Sequence, residues 1–428
     1  MKSIPAILKI LVLFALVLFL NRLRFHLSVS LFVGSLILAL WMGLQPVQWL
    51  GIIVSTAGQM QTVSLLLVVA LILVMSRIMK ETGHMDRLVG SFARLSRDAR
   101  MVGSVMTALI GLLPMPGGAL FSAPMVESSL ANHSVSKEQK TVLNYWFRHV
   151  WEYWWPLYPG VVLAVALLGV ETWRYMVVMA PMTLLSVLSG TFFLIRPIKK
   201  RDNPGSEGFS WGGVRTFLWE IMPILVVVFV ILGLALLNAI LGALGLRVTV
   251  PGTISIIPGL AVAMVWVCRI NRVSFGRFGS AVLDKNLLPM LFLLLAIMVF
   301  KETMIEGRAV LQIRNELMAY HIPVILVVMI MPFISGLITG LAIGFVGTSF
   351  PLIIPMFPSA PLLDYLSYAA LAYSFGYMGM MLSPVHLCLL VTKDYYHASL
   401  MRSYRLLFMP ALMIMVIVPV LFSVIRVL

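Results

Sequence analysis

Leu113–Val126 reads LPMPGGALFSAPMV, and Ser335–Ile353 reads SGLITGLAIGFVGTSFPLI. Each is an apolar stretch interrupted at its middle by glycine or proline, and Ser122-x-Pro124 in the first matches Ser349-x-Pro351 in the second. Working outward, Lys80-Glu81-Thr82 closes the apolar run before the first stretch, and Lys301-Glu302-Thr303 closes the run before the second. Arg24 and Arg247 open similar segments, Pro156 falls near Pro384 and Pro181 near Pro410, so the offset between copies stays between 221 and 229 residues. A hydrophobic unit present twice predicts a protein built from two repeats, with a binding site where they meet.

At 61% apolar and 11% charged residues, the chain has too little polar surface to coat a soluble globule of 428 residues. It reads as an integral membrane protein of all-α class. Apolar runs at 5–20, 26–44, 59–79, 142–168, 173–195, 217–243, 253–270, 286–300, 366–392 and 406–428 each approach the roughly 20 residues that cross the hydrocarbon core as a helix. That makes ten spans, five per repeat. The first lacks a small-residue cleavage site and runs into Asn21-Arg22-Leu23-Arg24, which predicts a retained helix. Cys268 and Cys388 are far apart in apolar segments, a pattern of packing residues rather than of a disulfide or a metal framework.

The net charge of +15 does not call for nucleic acid. With the amino terminus outside, the inner edges and loops collect 22 of the 31 Lys and Arg residues and eight stay outside, the bias expected of cytoplasmic loops. Five spans per copy put the second copy into the membrane upside down relative to the first. The expected domains are therefore an inverted repeat over 1–198, a cytoplasmic linker over 199–213 and a second inverted repeat over 214–428. The charge pattern agrees: the loop after Lys80 carries Arg87, Arg94, Arg97 and Arg100, whereas its counterpart balances Arg308 and Arg314 with Glu302, Glu306 and Glu316.

Residues 101–132 and 322–358 are each read as a re-entrant hairpin, because Pro114, Pro116, Gly117 and Gly118 break one and Gly336, Gly340, Gly344 and Gly347 break the other. Irregular backbone at membrane depth is tolerated where protein or a water-filled cavity satisfies it, so such tips line binding sites. The competing reading is ordinary close helix packing through Gly336-x-x-x-Gly340-x-x-x-Gly344. The span after each hairpin also breaks, at Pro156, Pro159 and Gly160 and again at Gly376, Gly379, Ser383 and Pro384. A discontinuous helix offers free amides on one half and free carbonyls on the other.

Candidate binding residues follow from these breaks: Pro116, Gly117, Gly118, Ser122, Gly344, Thr348, Ser349 and Ser383 supply close backbone approach and hydroxyls. At 100° per residue, Asn144, Arg148, His149 and Glu152 fall on one helical stripe. Charges inside a span are costly and face a cavity or one another. Arg148 is thus a candidate countercharge for an anionic substrate, with His149, Glu152 and His386 as candidate ion-coupling residues. Alternatively Arg148 and Glu152 form a structural i,i+4 pair. The Trp146, Trp151, Trp154 and Trp155 series reads as interfacial anchoring and packing, and 81–100 and 302–320 as amphipathic helices lying on the membrane surface.

At LPMPGGALFSAPMV, FRHVWEYWWPLYPG and LSPVHLCL the chain resembles a family of ten-helix prokaryotic integral membrane proteins related to gluconate permeases and the ion transporter superfamily. The resemblance covers nearly the whole chain. It implies inverted repeats, a scaffold that forms a homodimer, and a moving subdomain that carries the hairpins. It also implies proton- or sodium-coupled uptake of small organic anions by an elevator motion at the prokaryotic inner membrane, with no other cofactor. The Ser-Asn-Thr hairpin signature of the sodium/dicarboxylate carriers is absent from this chain. Two further readings stand beside transport of an anion, probing the same residues: a cation/proton antiporter using Glu152 and His149, and an intramembrane enzyme. The enzyme reading lacks both a His-Glu-x-x-His motif and paired intramembrane aspartates, so a non-enzymatic role is expected.

Overall fold

Long apolar runs without water have one economical answer to their own N–H and C=O groups, which is to pair them inside a helix. The computed structural model describes residues 5–96, 98–115, 117–200, 208, 210–246, 252–320, 323–358 and 361–427. Among these the chain is all helical, with no β-strand. The first ten α-helices are α1 (Ala6–Arg22), α2 (Leu27–Trp41), α3 (Pro46–Gly58), α4 (Met60–Glu81), α5 (His84–Leu95), α6 (Ala99–Ile110), α7 (Gly118–Ser129), α8 (Lys137–Arg148), α9 (Pro159–Leu168) and α10 (Thr172–Gly190). The next ten are α11 (Trp211–Ala243), α12 (Ile256–Ile270), α13 (Phe275–Val282), α14 (Leu287–Glu306), α15 (Ala309–Ala319), α16 (Val324–Thr339), α17 (Ala342–Ile353), α18 (Leu362–Met381), α19 (Leu387–Tyr396) and α20 (Leu400–Val427).

Among the described residues, six helical segments are long and apolar enough to cross a membrane: Met60–Glu81, Thr172–Ile195, Trp211–Ala243, Gly252–Ile270, Leu287–Glu306 and Leu400–Val424. The protein thus has the make-up of a multi-pass membrane protein. The expected spans at 5–20 and 26–44 are helices of 17 and 15 residues. Those at 142–168 and 366–392 are each two helices, α8 with α9 and α18 with α19. Residues 201–207 and 209 of the linker, and Pro116 at the first hairpin, lie outside the described residues.

Two short helices escape the hydropathy reading. The first, α3, opens with a capping box in which the Gln48 side chain accepts the Gln45 N–H at 2.8 Å, with Pro46 in its first turn. The second, α13, is capped by Ser274, whose hydroxyl accepts the Arg277 N–H. Both signals are local and polar, and neither registers in a search for apolar runs of spanning length.

The packing is of two kinds. Neighbours in sequence fold back on one another, as α1 on α2, α11 on α12, α6 on α7 and α16 on α17. Elements from the two ends of the chain also interleave: α2 lies on α14, α4 on α12, α7 on α19 and α9 on α17. Polar ties join distant segments, with Glu316 accepting the Ala6 and Ile7 N–H groups at 2.7 and 2.8 Å, Tyr365 donating to the Leu168 carbonyl at 3.0 Å, and Glu138 accepting the Ser399 N–H at 3.1 Å.

Both readings of the second glycine run hold at once. Gly340 ends α16 in the left-handed region at φ 63°, and the chain turns into α17 two residues later, so the run is a helical hairpin. Along the body of α16, contact with α18 leaves no room for side chains: a Cβ on Gly336 would stand 2.1 Å from the Gly376 carbonyl oxygen, and one on Gly379 would stand 2.1 Å from that of Phe333. Gly379→Ala is therefore expected to destabilise the fold by about 1–3 kcal/mol, read as a lower midpoint of thermal unfolding in detergent. Gly233→Ala, inside α11 with nothing within 4 Å of the added methyl, is the control that does not lower the midpoint.

Candidate functional site

The site is assembled by the two interrupted helices. Pro156 and Pro159 bring no N–H to a helix, and α8 stops at Arg148, with turns before α9 begins at Pro159. In the other half α18 stops at Met381 and α19 starts at Leu387, with Pro384 between them. These interruptions free carbonyls in a buried place, and aromatic donors from across the junction take them. Tyr377 donates to the His149 carbonyl, and Tyr373 donates to that of Glu152 at 2.7 Å. In return Tyr145 donates to the Met381 carbonyl at 3.0 Å.

Aromatics of the α8–α9 connection serve the first hairpin in the same way. The indoles of Trp151 and Trp155 donate to the Ala108 and Leu112 carbonyls at 2.9 and 3.0 Å, and Tyr158 donates to Gly111. Trp146 reaches the Ser186 carbonyl at 3.0 Å. The packing part of the tryptophan reading is seen in Trp146 and Trp155, which are buried, and in Trp151 and Trp154, which are half-buried, with three of the four indoles donating to carbonyls.

Arg148 stands at the end of α8, 5% exposed. Its Nη2 donates to the Met115 carbonyl at the tip of the first hairpin at 3.1 Å, and its buried Nε has no hydrogen-bond partner. The tip is shaped around it, since a Cβ on Gly118 would lie 2.6 Å from Nη2 and one on Gly111 would lie 2.0 Å from the Arg148 carbonyl oxygen. No carboxylate among the described residues comes within ion-pair distance of Arg148. The alternative reading, an i,i+4 pair with Glu152, is therefore not formed. The helical wheel that predicted it assumes a helix running through Glu152, and α8 ends four residues earlier.

Glu152 instead has a carboxylate oxygen 3.8 Å from His149 Nε2. One turn before Arg148, buried Asn144 donates to the Ala119 carbonyl and to Thr392 Oγ1, both at 3.1 Å, while its Oδ1 has no partner. The α8 segment thus presents a cationic donor and an amide acceptor that its own fold leaves unused.

His386 joins this group from the α18–α19 break. The rings of Tyr145, His149 and His386 form a triangle with centroids 4.9–5.0 Å apart. Cys388 lies beside them: one ligand atom each from His149, His386 and Cys388 falls within 4.8 Å of the others. Cys388 was read from sequence as packing alone, and no local signal marks it, since its neighbours in space come from the other half of the chain.

The remaining candidates divide. Gly117, at φ 72°, and Gly118 form the turn that admits Arg148. Ser383 sits against the second hairpin turn, donating to the Leu337 carbonyl at 2.7 Å. Ser122, Thr348 and Ser349 turn their hydroxyls back to carbonyls of their own helices, at 3.1, 2.8 and 2.6 Å, and Gly344 lies inside α17 against Thr339. A cavity of about 240 Å³ lined by Ser76, Arg77, Lys80, Pro114, Met115 and Asp284 reaches the first hairpin tip. If the aromatic donors hold the breaks, Tyr373→Phe strands the buried Glu152 carbonyl and costs about 1–3 kcal/mol, whereas Tyr377→Phe costs less because the His149 carbonyl keeps the Glu152 N–H at 3.1 Å; thermal unfolding of the purified variants measures this, and an unchanged midpoint for Tyr373→Phe would contradict it.

No curated protein matches the chain at a significant level. The profile of DUF401, described as a protein of unknown function, matches residues 6–425, and with nearly the whole length so covered the chain belongs to the DUF401 family.

Proposed function

We propose that this protein is a secondary active transporter of a small organic anion, in particular a carboxylate, driven by a proton or sodium gradient. The observation that carries the reading is Arg148, a buried guanidinium with one hydrogen bond, an unpartnered Nε and no carboxylate in reach among the described residues. A charge so placed is costly without a counterion, and a planar fork of donors suits a carboxylate. The cavity beside Pro114 and Met115 gives that anion a route, and its wall carries Arg77 and Lys80 together with Glu81 and Asp284, both of which pair with Arg77.

The packing supports two inverted repeats, 1–198 and 214–428 joined by a linker over 199–213. When each helix of α1–α10 is exchanged for the one ten places later, the contacts α1 with α15, α6 with α8, α7 with α19 and α8 with α20 become α11 with α5, α16 with α18, α17 with α9 and α18 with α10, all of which occur. The polar ties fit the sidedness read from charge, joining loops assigned to the same face, as Glu138 with Ser399 inside and Tyr365 with Leu168 outside. In this reading the first hairpin enters from the cytoplasm and the second from outside. An elevator motion of the hairpins and broken helices against a dimeric scaffold in the prokaryotic inner membrane, and kinship with gluconate permeases, complete the proposal.

A cation/proton antiporter is the second reading, favoured by the 3.8 Å approach of His149 to Glu152. The two are separated by uptake into liposomes across a panel of radiolabelled organic anions with imposed proton or sodium gradients. The anion reading expects saturable, gradient-driven uptake that Arg148→Gln weakens at least tenfold in apparent affinity while the protein remains monodisperse. Absence of uptake of any anion, with proton release on addition of cations, overturns it in favour of the antiporter.

A further inference from the structure

We infer that His149, His386 and Cys388 form a binding site for a divalent transition metal of the zinc class, with the Glu152 carboxylate as the group that completes it. The three donors arrive from two separate helix breaks, yet one ligand atom of each lies within 4.8 Å of the other two, in a buried place. Both imidazoles are already set in one tautomer. His149 Nδ1 is 2.6 Å from the Tyr145 carbonyl, which only accepts, so Nδ1 carries the proton and Nε2 keeps its lone pair.

The same holds for His386. Its Nδ1 is 3.2 Å from the Met380 carbonyl and 3.0 Å from the Tyr145 hydroxyl, and that hydroxyl spends its own proton on the Met381 carbonyl. Backbone carbonyls that hold Nδ1–H are the outer support by which proteins orient metal-binding histidines. The Glu152 oxygen 3.8 Å from His149 Nε2 supplies a second anionic donor beside the thiol.

Donor chemistry selects the metal. Two imidazole nitrogens with a thiolate suit zinc, cobalt, nickel or copper, whereas magnesium and calcium demand oxygen. A tetrahedral site with bonds of about 2.0–2.3 Å needs the His149, His386 and Cys388 donor atoms drawn closer than the 4.8 Å limit within which they stand, and the Glu152 carboxylate swung in from its place beside His149 Nε2. Binding releases the thiol proton to solvent and leaves the two thiolate and carboxylate charges to offset the dication. A bound metal would tie the α8–α9 break to the α18–α19 break. The inference does not depend on the anion-transport reading.

Cobalt(II) added to the purified, tag-free full-length chain is the probe. One equivalent should bind, with a tetrahedral ligand-field spectrum and a thiolate-to-cobalt charge-transfer band, and zinc should displace it. Cys388→Ser should abolish the charge-transfer band, His149→Ala and His386→Ala should each weaken binding at least tenfold, and Cys268→Ser should change nothing. Because a core variant can misfold, the wild-type chain gives a second readout: zinc should raise its unfolding midpoint in proportion to occupancy. No saturable cobalt binding and no zinc-dependent shift in monodisperse wild-type protein would overturn the site, as would a charge-transfer band that survives Cys388→Ser. Organic-anion uptake that persists in chelator, without metal binding, rejects the metal site and leaves the transport reading standing.

Discussion

Breaking a helix inside a membrane frees backbone groups where water does not reach them, and every feature of this site follows from how those groups are paired. The carbonyls of His149 and Glu152 are held by Tyr377 and Tyr373 from α18. Those of Ala108, Gly111 and Leu112 are held by Trp151, Tyr158 and Trp155 from the α8–α9 connection. Each donor is an aromatic ring whose body packs against apolar neighbours while its tip supplies one proton. The hairpins and the broken helices are thereby locked to each other, and neither can be built without the other.

That lock sets the electrostatics. Because α8 ends at Arg148 and does not continue through Glu152, the guanidinium and the carboxylate part company: one turns to the Met115 carbonyl at the hairpin tip and the other toward His149. A continuous helix would have paired them and cancelled the charge. The break instead leaves a buried cation at the first hairpin tip and a nest of imidazole, thiol and carboxylate beside the second break. The second broken helix differs in chemistry from the first, since the one charged residue of α18 is Asp364 in its first turn.

Much of this was legible in the sequence, and the physical reason differs from part to part. Proline and glycine at matched places announce interruptions because they alter the backbone itself, so the breaks near Pro156 and Pro384 and the turns at Gly117 and Gly340 could be located without a structure. Arg148, His149, Glu152 and His386 stood out as polar groups in apolar surroundings. Periodicity failed where a helix stopped: the stripe drawn through Asn144, Arg148 and Glu152 extrapolated a wheel past the end of α8. It was silent on Cys388, whose significance lies in contacts made across the whole length of the chain, and on α3 and α13, which are short and defined by their caps. The indoles could be read as packing groups but not as donors to particular carbonyls, because those carbonyls come from a segment some forty residues away.

The proposed transport requires the first hairpin tip to be reached by solvent from the cytoplasmic face. Pro114 lines the cavity beside it, while Leu288, on α14, is 73% exposed on the apolar face of the chain. With Cys268 and Cys388 replaced by serine, Pro114→Cys and Leu288→Cys can be treated with a membrane-impermeant maleimide applied to one face of sealed vesicles at a time. The account predicts that Pro114→Cys is labelled from the cytoplasmic face alone and Leu288→Cys from neither. Labelling of Pro114→Cys only from the outer face, or failure to label it at all, would contradict it.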